Sequence, residues 1–122
     1  HKDVSRDKKL VMNGTAVFLW TRRVLGKQIL EMLFEAGIKK EKIDNYFLHQ
    51  ASKFVLDNVR KGLSVSSDKI PLSLHLTGNL VSSSIPFLIE NNFTAFKKSH
   101  LNVLAGFGVG LSCSSIAIEK EI

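Results

Sequence analysis

Two short stretches carry residue types suited to one piece of chemistry. The first is Leu48-His49-Gln50-Ala51. The second is Thr77-Gly78-Asn79-Leu80, running on through Ser82-Ser83-Ser84-Ile85-Pro86. Each reads as the end of an apolar strand, a polar residue, and then a helix. An imidazole and a carboxamide held at adjacent strand ends aim two hydrogen-bond donors at one oxygen. That is what stabilising an enolate or a tetrahedral oxyanion requires. A third stretch, Gly106-Phe107-Gly108-Val109-Gly110, lets backbone N–H groups come close to such an oxyanion. A phosphate loop fits it less well, because neither a helix nor a lysine follows.

Each stretch also has a plainer reading. A lone His49 is commonly a core histidine satisfied by backbone groups. Asn79 fits a turn or a helix cap. The glycine run fits a tight hairpin. Taken together they favour a site, since ligands of α/β proteins gather at the carboxyl ends of strands. Cys113, between Ser112 and Ser114 in a predicted strand, has no helix N-terminus and no base beside it. It reads as a small buried residue, not a nucleophile. His75 reads as strand packing, and His100 as solvent-facing beside a basic loop.

The elements that must position these residues alternate in type. Leu10 to Gly14 predicts a short strand ending in an Asn-Gly turn. From Ala16 to Ala36, Phe18, Leu25, Ile29, Met32 and Ala36 recur at helical spacing, and Gly37 is placed to end that helix. Asp44 to Leu48 predicts a buried strand. A helix over 51–61 follows, with Ala51, Val55, Val59 and Leu63 on one face and Gly62 ending it. Pro71 opens a strand over Leu72–Leu76. A helix spans 83–91, and a basic loop or helical turn 93–99. Strands over 101–105 and 111–118 are joined by the glycine turn. The class is α/β: a mixed, mostly parallel sheet flanked by helices, closing in an antiparallel hairpin.

The chain has 122 residues, 44% of them hydrophobic and 23% charged, which suits one domain or part of one. The net charge of +6 fits a solvated basic surface or an acidic partner. Nucleic acid is disfavoured, because the basic residues do not interleave with aromatics. One cysteine excludes a disulfide within the chain and a Cys-rich metal site, and the four histidines are too scattered for a metal signature. No apolar run is long enough to span a bilayer. Residues 1–9 are polar and without apolar periodicity. They read as a leader at the cut edge of a longer, cytoplasmic protein.

At this level of detail the chain resembles the 3-oxoacyl-acyl-carrier-protein synthase III group of the thiolase-like condensing enzymes. Met12-Asn13-Gly14 with Val17-Phe18 resembles that group's start-of-helix motif. Asp44 to Ala51 resembles its histidine motif. Gly78-Asn79 with Ser84-Ile85-Pro86 resembles its asparagine motif, and residues 106–110 its C-terminal glycine loop. The match runs over residues 10–119. It implies that 10–122 form the C-terminal half of an α-β-α-β-α layered fold, with the nucleophilic cysteine in a missing N-terminal half. It implies a decarboxylative Claisen condensation of an acyl thioester with malonyl-acyl-carrier-protein. His49 and Asn79 would stabilise the enolate, the Val109 N–H would serve an oxyanion hole, and Phe107 and Gly108 would wall the site.

The implied partners are an acidic acyl carrier protein, acyl-CoA, the chain's own N-terminal half and a second copy in a homodimer. No cofactor is permanently bound. Lys53, Arg60 and Lys61 are candidates for carrier docking, because a basic rim steers an acidic protein. Departures from the group's pattern are Thr77 before Gly78-Asn79, Leu80 and Val81 after it, and Phe54 in place of a basic residue. These leave open an acyltransferase that forms an ester or amide. A non-catalytic half that binds carrier protein or scaffolds a dimer is the other alternative.

Overall fold

The computed structural model describes residues 12–108 and 110–121. The first helix, α1, spans Gly14–Glu35. Asn13 starts it: its Oδ1 accepts from the Ala16 N–H at 3.0 Å, a side-chain N-cap. Asn13 is therefore a cap and Gly14 already helical, where a strand ending in a turn was predicted; Leu10 and Val11 of that strand lie outside the described residues, as does the 1–9 leader. The buried face of α1 is Thr21, Leu25, Gly26, Ile29 and Leu33. Leu25 and Ile29 were predicted there. Phe18 and Met32 are half-buried, and Ala36 is the exposed C-cap. Gly37 follows with φ +69°, and the Ile38 N–H returns to the Leu33 carbonyl at 2.8 Å, which closes the helix.

Strand β1, Asn45–Leu48, leads to helix α2, Lys53–Leu63. Ser52 caps α2 by accepting from the Val55 N–H at 3.2 Å. The helix runs through Gly62 and ends at Ser64, whose φ of 54° puts it in the left-handed region. Val59 and Leu63 are buried as the spacing predicts, together with Leu56. A single helical turn, α3 (Leu74–Thr77), stands where a strand was predicted over 72–76. The alternation of leucines with Ser73 and His75 is real but is not used. The Ser73 carbonyl takes the Leu76 N–H at 2.9 Å, and the Ser73 N–H goes to the Gln50 side chain. Both backbone groups are thus committed locally, and Leu76 and His75 are exposed. Helices α4 (Ser84–Asn91) and α5 (Phe93–Lys98) follow, then strands β2 (Leu101–Gly108) and β3 (Ser112–Glu119). Gly106 to Gly108 belong to β2, so the predicted glycine turn is confined to the residues after them.

The sheet order is β1-β2-β3, with β1 parallel to β2 and β2 antiparallel to β3. Tyr46 and Leu48 of β1, with Leu101, Val103, Ala105 and Phe107 of β2, join one core cluster with Leu25, Ile29, Leu33, Leu56, Val59 and Leu63. The opposite face carries Phe47, whose ring meets Phe96 of α5 edge-on at 5.4 Å. Gly106 faces that side too, within reach of Ile85 on α4. Helices therefore lie on both faces, which is why β1 reads as a continuous apolar run. Asp44 fixes the register at the strand start: its Oδ2 accepts from the N–H groups of His100 (2.8 Å) and Leu101 (2.9 Å). At the other end the His49 N–H reaches the Ala105 carbonyl at 2.9 Å.

Ser64 holds a left-handed backbone conformation that glycine adopts without a Cβ penalty. Ser64→Gly is expected to stabilise the fold by about 0.5–1 kcal/mol. Thermal unfolding of the two proteins side by side measures this, with a modest rise in Tm as the expected result.

Candidate active site

His49 stands one residue beyond β1, half-buried, with its ring edge-on to Phe107 at 5.1 Å. Phe107 is 8% exposed and is paired across the hairpin with Cys113. Burial lowers the pKa of the imidazole below its ordinary value, and a hydrogen bond with the Val81 backbone works against that shift. Burial dominates, so the ring gives up its proton more readily than a free imidazole.

Asn79 lies on the loop after α3, not at a strand end as predicted. Gly78 delivers it there with φ +68° and ψ −153°, a backbone conformation essentially restricted to glycine. The Asn79 Oδ1 accepts from the Val81 N–H at 2.8 Å. That bond orients the carboxamide and leaves its Nδ2 as the group a ligand oxygen would meet. The side chain is exposed.

Val81 therefore neighbours both candidate residues: its N–H bonds the Asn79 Oδ1, and its backbone lies beside the His49 ring. It adopts φ 52°, an uncommon choice for a β-branched residue. His49 and Asn79, thirty positions apart in sequence, are brought together on this one peptide segment.

Gln50 was quoted with the histidine motif but given no task by the sequence reading. It is 1% exposed. Its Nε2 donates to the Leu48 carbonyl at 2.9 Å, and its Oε1 accepts from the Ser73 N–H at 3.0 Å. The end of β1 is thereby joined to the loop that leads into α3 and on to Asn79. A glutamine directly after the histidine at a buried strand end was the signal available.

Gly108 closes β2, half-buried, one residue beyond Phe107. Val109 lies outside the described residues. Cys113 sits half-buried in β3, and burial pushes its thiol pKa up, the opposite of an activated nucleophile. His75 is exposed on α3. His100 is exposed, with Nδ1 3.8 Å from Glu119. The three docking candidates are on α2, which begins at Lys53, four residues after His49. Lys53 pairs with Asp57 at 3.3 Å, Arg60 reaches the Val65 carbonyl at 3.5 Å, and Lys61 is exposed. Among the described residues no helix is long and apolar enough to cross a membrane.

Comparison with known proteins bears on the chain's family and fold. Residues 33–120 match the family model described as 3-oxoacyl-(acyl-carrier-protein) synthase III C terminal. The beta-ketoacyl-(acyl-carrier-protein) synthase III of Streptococcus agalactiae is 32% identical over 121 residues, covering 96% of this chain and 38% of the relative. One of the Bacillus cereus proteins of that name is 31% identical over 120 residues, covering 97% of this chain and 39% of the relative. A crystal structure of a 3-oxoacyl-(acyl-carrier-protein) synthase III superposes with a TM-score of 0.86 at 32% identity, over 98% of this chain and 37% of the other. The Thermus thermophilus synthase III gives 0.85 at 27% identity, over 93% and 36%. The chain thus spans about two-fifths of the length of these relatives, and its α/β architecture is that of their thiolase-like fold. By its sequence and its fold, the chain belongs to the 3-oxoacyl-(acyl-carrier-protein) synthase III C-terminal family.

Proposed function

We propose that residues 10–122 are the C-terminal half of a cytoplasmic, homodimeric condensing enzyme whose N-terminal half supplies the nucleophilic cysteine. The observation that supports this reading is the convergence of two elements on one spot: the Val81 N–H bonds the Asn79 Oδ1, and the Val81 backbone lies beside the His49 ring. An acyl group is first transferred from acyl-CoA to that cysteine. Malonyl-acyl-carrier-protein then enters and its carboxylate leaves as carbon dioxide. The electron pair of the broken C–C bond moves into the thioester as an enolate. The Asn79 Nδ2 and a ring nitrogen of His49 hydrogen-bond the enolate oxygen. The carbanion attacks the acyl carbonyl, the new C–C bond forms, and the cysteine leaves as a thiolate. The Val109 N–H serves the oxyanion of the acyl-transfer steps, and Phe107 and Gly108 wall the site.

The surface around the pair supports completion by another part of the protein. From Ile70 to Ile89 the chain has no Asp, Glu, Lys or Arg. Leu76 is 54% exposed and Val81 71% exposed within that stretch. Apolar surface rimming a polar pair is what a covering domain buries. Docking of the carrier falls to α2, with Lys53, Arg60 and Lys61.

Intact-mass analysis of the full-length protein with acyl-CoA donors is expected to show one acyl adduct on a cysteine N-terminal to this chain. No adduct with any donor sinks the reading. His49→Ala and Asn79→Ala are each expected to keep the adduct while slowing condensation by roughly 10²–10³-fold, the usual loss for one oxyanion donor. Equal loss of both half-reactions would assign these residues a structural task instead.

The state of His49 is separately measurable. Its folded pKa is depressed by burial, so the unfolded chain takes up the proton first as pH falls. Stability from this group is complete above the ordinary value of 6.5 and declines as pH drops through the lowered one. An NMR titration of the His49 ring is expected to give a midpoint below 6.5. Phe107→Ala, which opens the ring to water, is expected to move it back up.

A further inference from the structure

Among the described residues two that are not glycine have positive φ: Ser64 and Val81. Ser64 ends α2, where a left-handed residue is ordinary. Val81 ends no helix. It opens a short 3-10 turn, Val81–Ser83, with φ 52°. A left-handed backbone crowds Cβ against the following carbonyl oxygen, and a β-branched side chain suits it least. Residues in such conformations persist where their surroundings over-determine them, and they cluster at functional sites.

The surroundings of Val81 hold its backbone from both sides. Its N–H bonds the Asn79 Oδ1 at 2.8 Å, and its carbonyl accepts from the Ser84 N–H. The backbone lies beside the His49 ring. With its peptide groups turned to these partners, the residue leaves its isopropyl group standing outward, 71% exposed. Asn79, Ser82 and Ser83 around it are exposed and polar. An apolar group is thus held at the rim of the candidate pair by a backbone that glycine would hold more easily.

The enolate of the proposed reaction has two fates. Its carbon can attack the acyl carbonyl and form the new C–C bond. The same carbon can instead take a proton from water, which leaves hydroxide, an acetyl thioester on the carrier and no C–C bond. From Ile70 to Ile89 the one side chain that titrates near neutral pH is His75, and it is exposed on α3. Water is therefore the proton source to be kept away. Excluding it is how a site prevents proton leakage to a reactive intermediate.

Resting on that proposed reaction, we infer that the Val81 side chain is a specificity element that keeps water from the enolate, so that decarboxylation is coupled to C–C bond formation. It discriminates by polarity. Hydroxyl and amine nucleophiles are turned away as water is, which weighs against ester or amide formation. Val81 is one of the departures from the group's pattern, so this task belongs to the chain itself.

The test counts products. Full-length protein is supplied with acyl-CoA and malonyl-acyl-carrier-protein, and mass spectrometry compares acetyl-carrier with 3-oxoacyl-carrier. Their ratio does not depend on how much of each preparation is folded. Wild-type protein is expected to make almost entirely 3-oxoacyl-carrier. Val81→Gly relieves the backbone and opens the rim. It is expected to raise the ratio of acetyl-carrier to 3-oxoacyl-carrier by about tenfold or more, the selectivity that even one methylene of an apolar wall supplies. Val81→Thr keeps the branched shape but adds a hydroxyl, and is expected to raise the ratio as well. Val81→Ile, branched and apolar, is expected to hold it near the wild-type value.

An unchanged ratio in Val81→Gly overturns the inference. A raised ratio in Val81→Gly with a wild-type ratio in Val81→Thr assigns the effect to the backbone and overturns it too. A wild-type protein whose main product is acetyl-carrier likewise overturns it, and leaves decarboxylation standing. A wild-type protein that is acylated by acyl-CoA but never decarboxylates malonyl-carrier sinks the proposed condensation and the inference with it. Intact mass, which reads the acyl adduct directly, separates that failure from the others.

Discussion

One buried carboxamide links the two segments on which the site depends. Where the β1–β2 ladder ends, the Leu48 carbonyl and the Ser73 N–H would otherwise be left without backbone partners in the interior. Gln50 takes both, donating with one end of its amide and accepting with the other. Its side chain is 1% exposed, so water does not compete for either bond. From Ser73 the chain makes a single helical turn, passes Gly78 and presents Asn79. The place of Asn79 is therefore inherited from the end of β1 through Gln50, while His49 is held by the Ala105 carbonyl on its backbone side and by Phe107 on its ring side. Val81 then bonds Asn79 through its N–H and lies beside the His49 ring. A site assembled from a strand end and a loop acquires the stiffness of the sheet in this way.

The same economy of polar groups recurs where helices and turns end. The Lys40 ammonium donates to the Leu63 carbonyl at 3.0 Å, at the end of α2. Lys69 donates to the Ile43 carbonyl at 2.6 Å and to that of Glu41. Lys120 donates to the carbonyls of Phe96 and Lys97 at the end of α5, over the Phe96 ring. Cations at helix C-termini meet both unpaired carbonyls and the negative end of the macrodipole. Part of the +6 charge is thus structural. Among the described residues, the exposed lysines and arginines without a side-chain partner are Arg22 and Arg23 on α1, Lys61 on α2, Lys39 and Lys42 before β1, and Lys97 and Lys98 on α5.

Periodicity made legible those parts of the fold whose burial is one-sided or complete. The α1 stripe of Leu25 and Ile29, the α2 stripe of Val59 and Leu63, and the apolar run into Leu48 all pack as their spacing predicts. The 72–76 segment shows where spacing misleads. Its leucines alternate, yet a strand needs a neighbour, and the backbone groups of Ser73 are taken by Gln50 and Leu76. The glycine run misled in the opposite direction. Glycine allows a turn but does not require one, and Gly106 and Gly108 continue β2 in register with Ser114 and Ser112. The candidate site was more legible than its scaffold. Gly78 before Asn79 marks a backbone conformation that only glycine takes, and that mark survives whether a strand or a helical turn precedes it. Val81 was not legible as a hinge between the two residues, because a valine with positive φ has no sequence signature.

The electrostatics of the site bear on the order of events in the proposed reaction. The stretch from Ile70 to Ile89 offers hydrogen-bond donors but no fixed charge. A lysine or arginine there would stabilise an enolate, but it would hold the malonyl carboxylate of the ground state more tightly still, and uniform stabilisation does not lower a barrier. Neutral donors aimed at the thioester oxygen favour the state in which charge has moved there. Apolar neighbours such as Phe107 and Val81 give the departing carboxylate nothing to stay for. A histidine whose charged form is disfavoured by burial fits this logic better than one held charged, because its ring already packs edge-on to Phe107 before substrate arrives and need not reorganise as charge migrates. In the proposed reaction, the depressed pKa of His49 and the lack of Asp, Glu, Lys and Arg from Ile70 to Ile89 would serve one requirement: negative charge free to move from the carboxylate to the thioester oxygen.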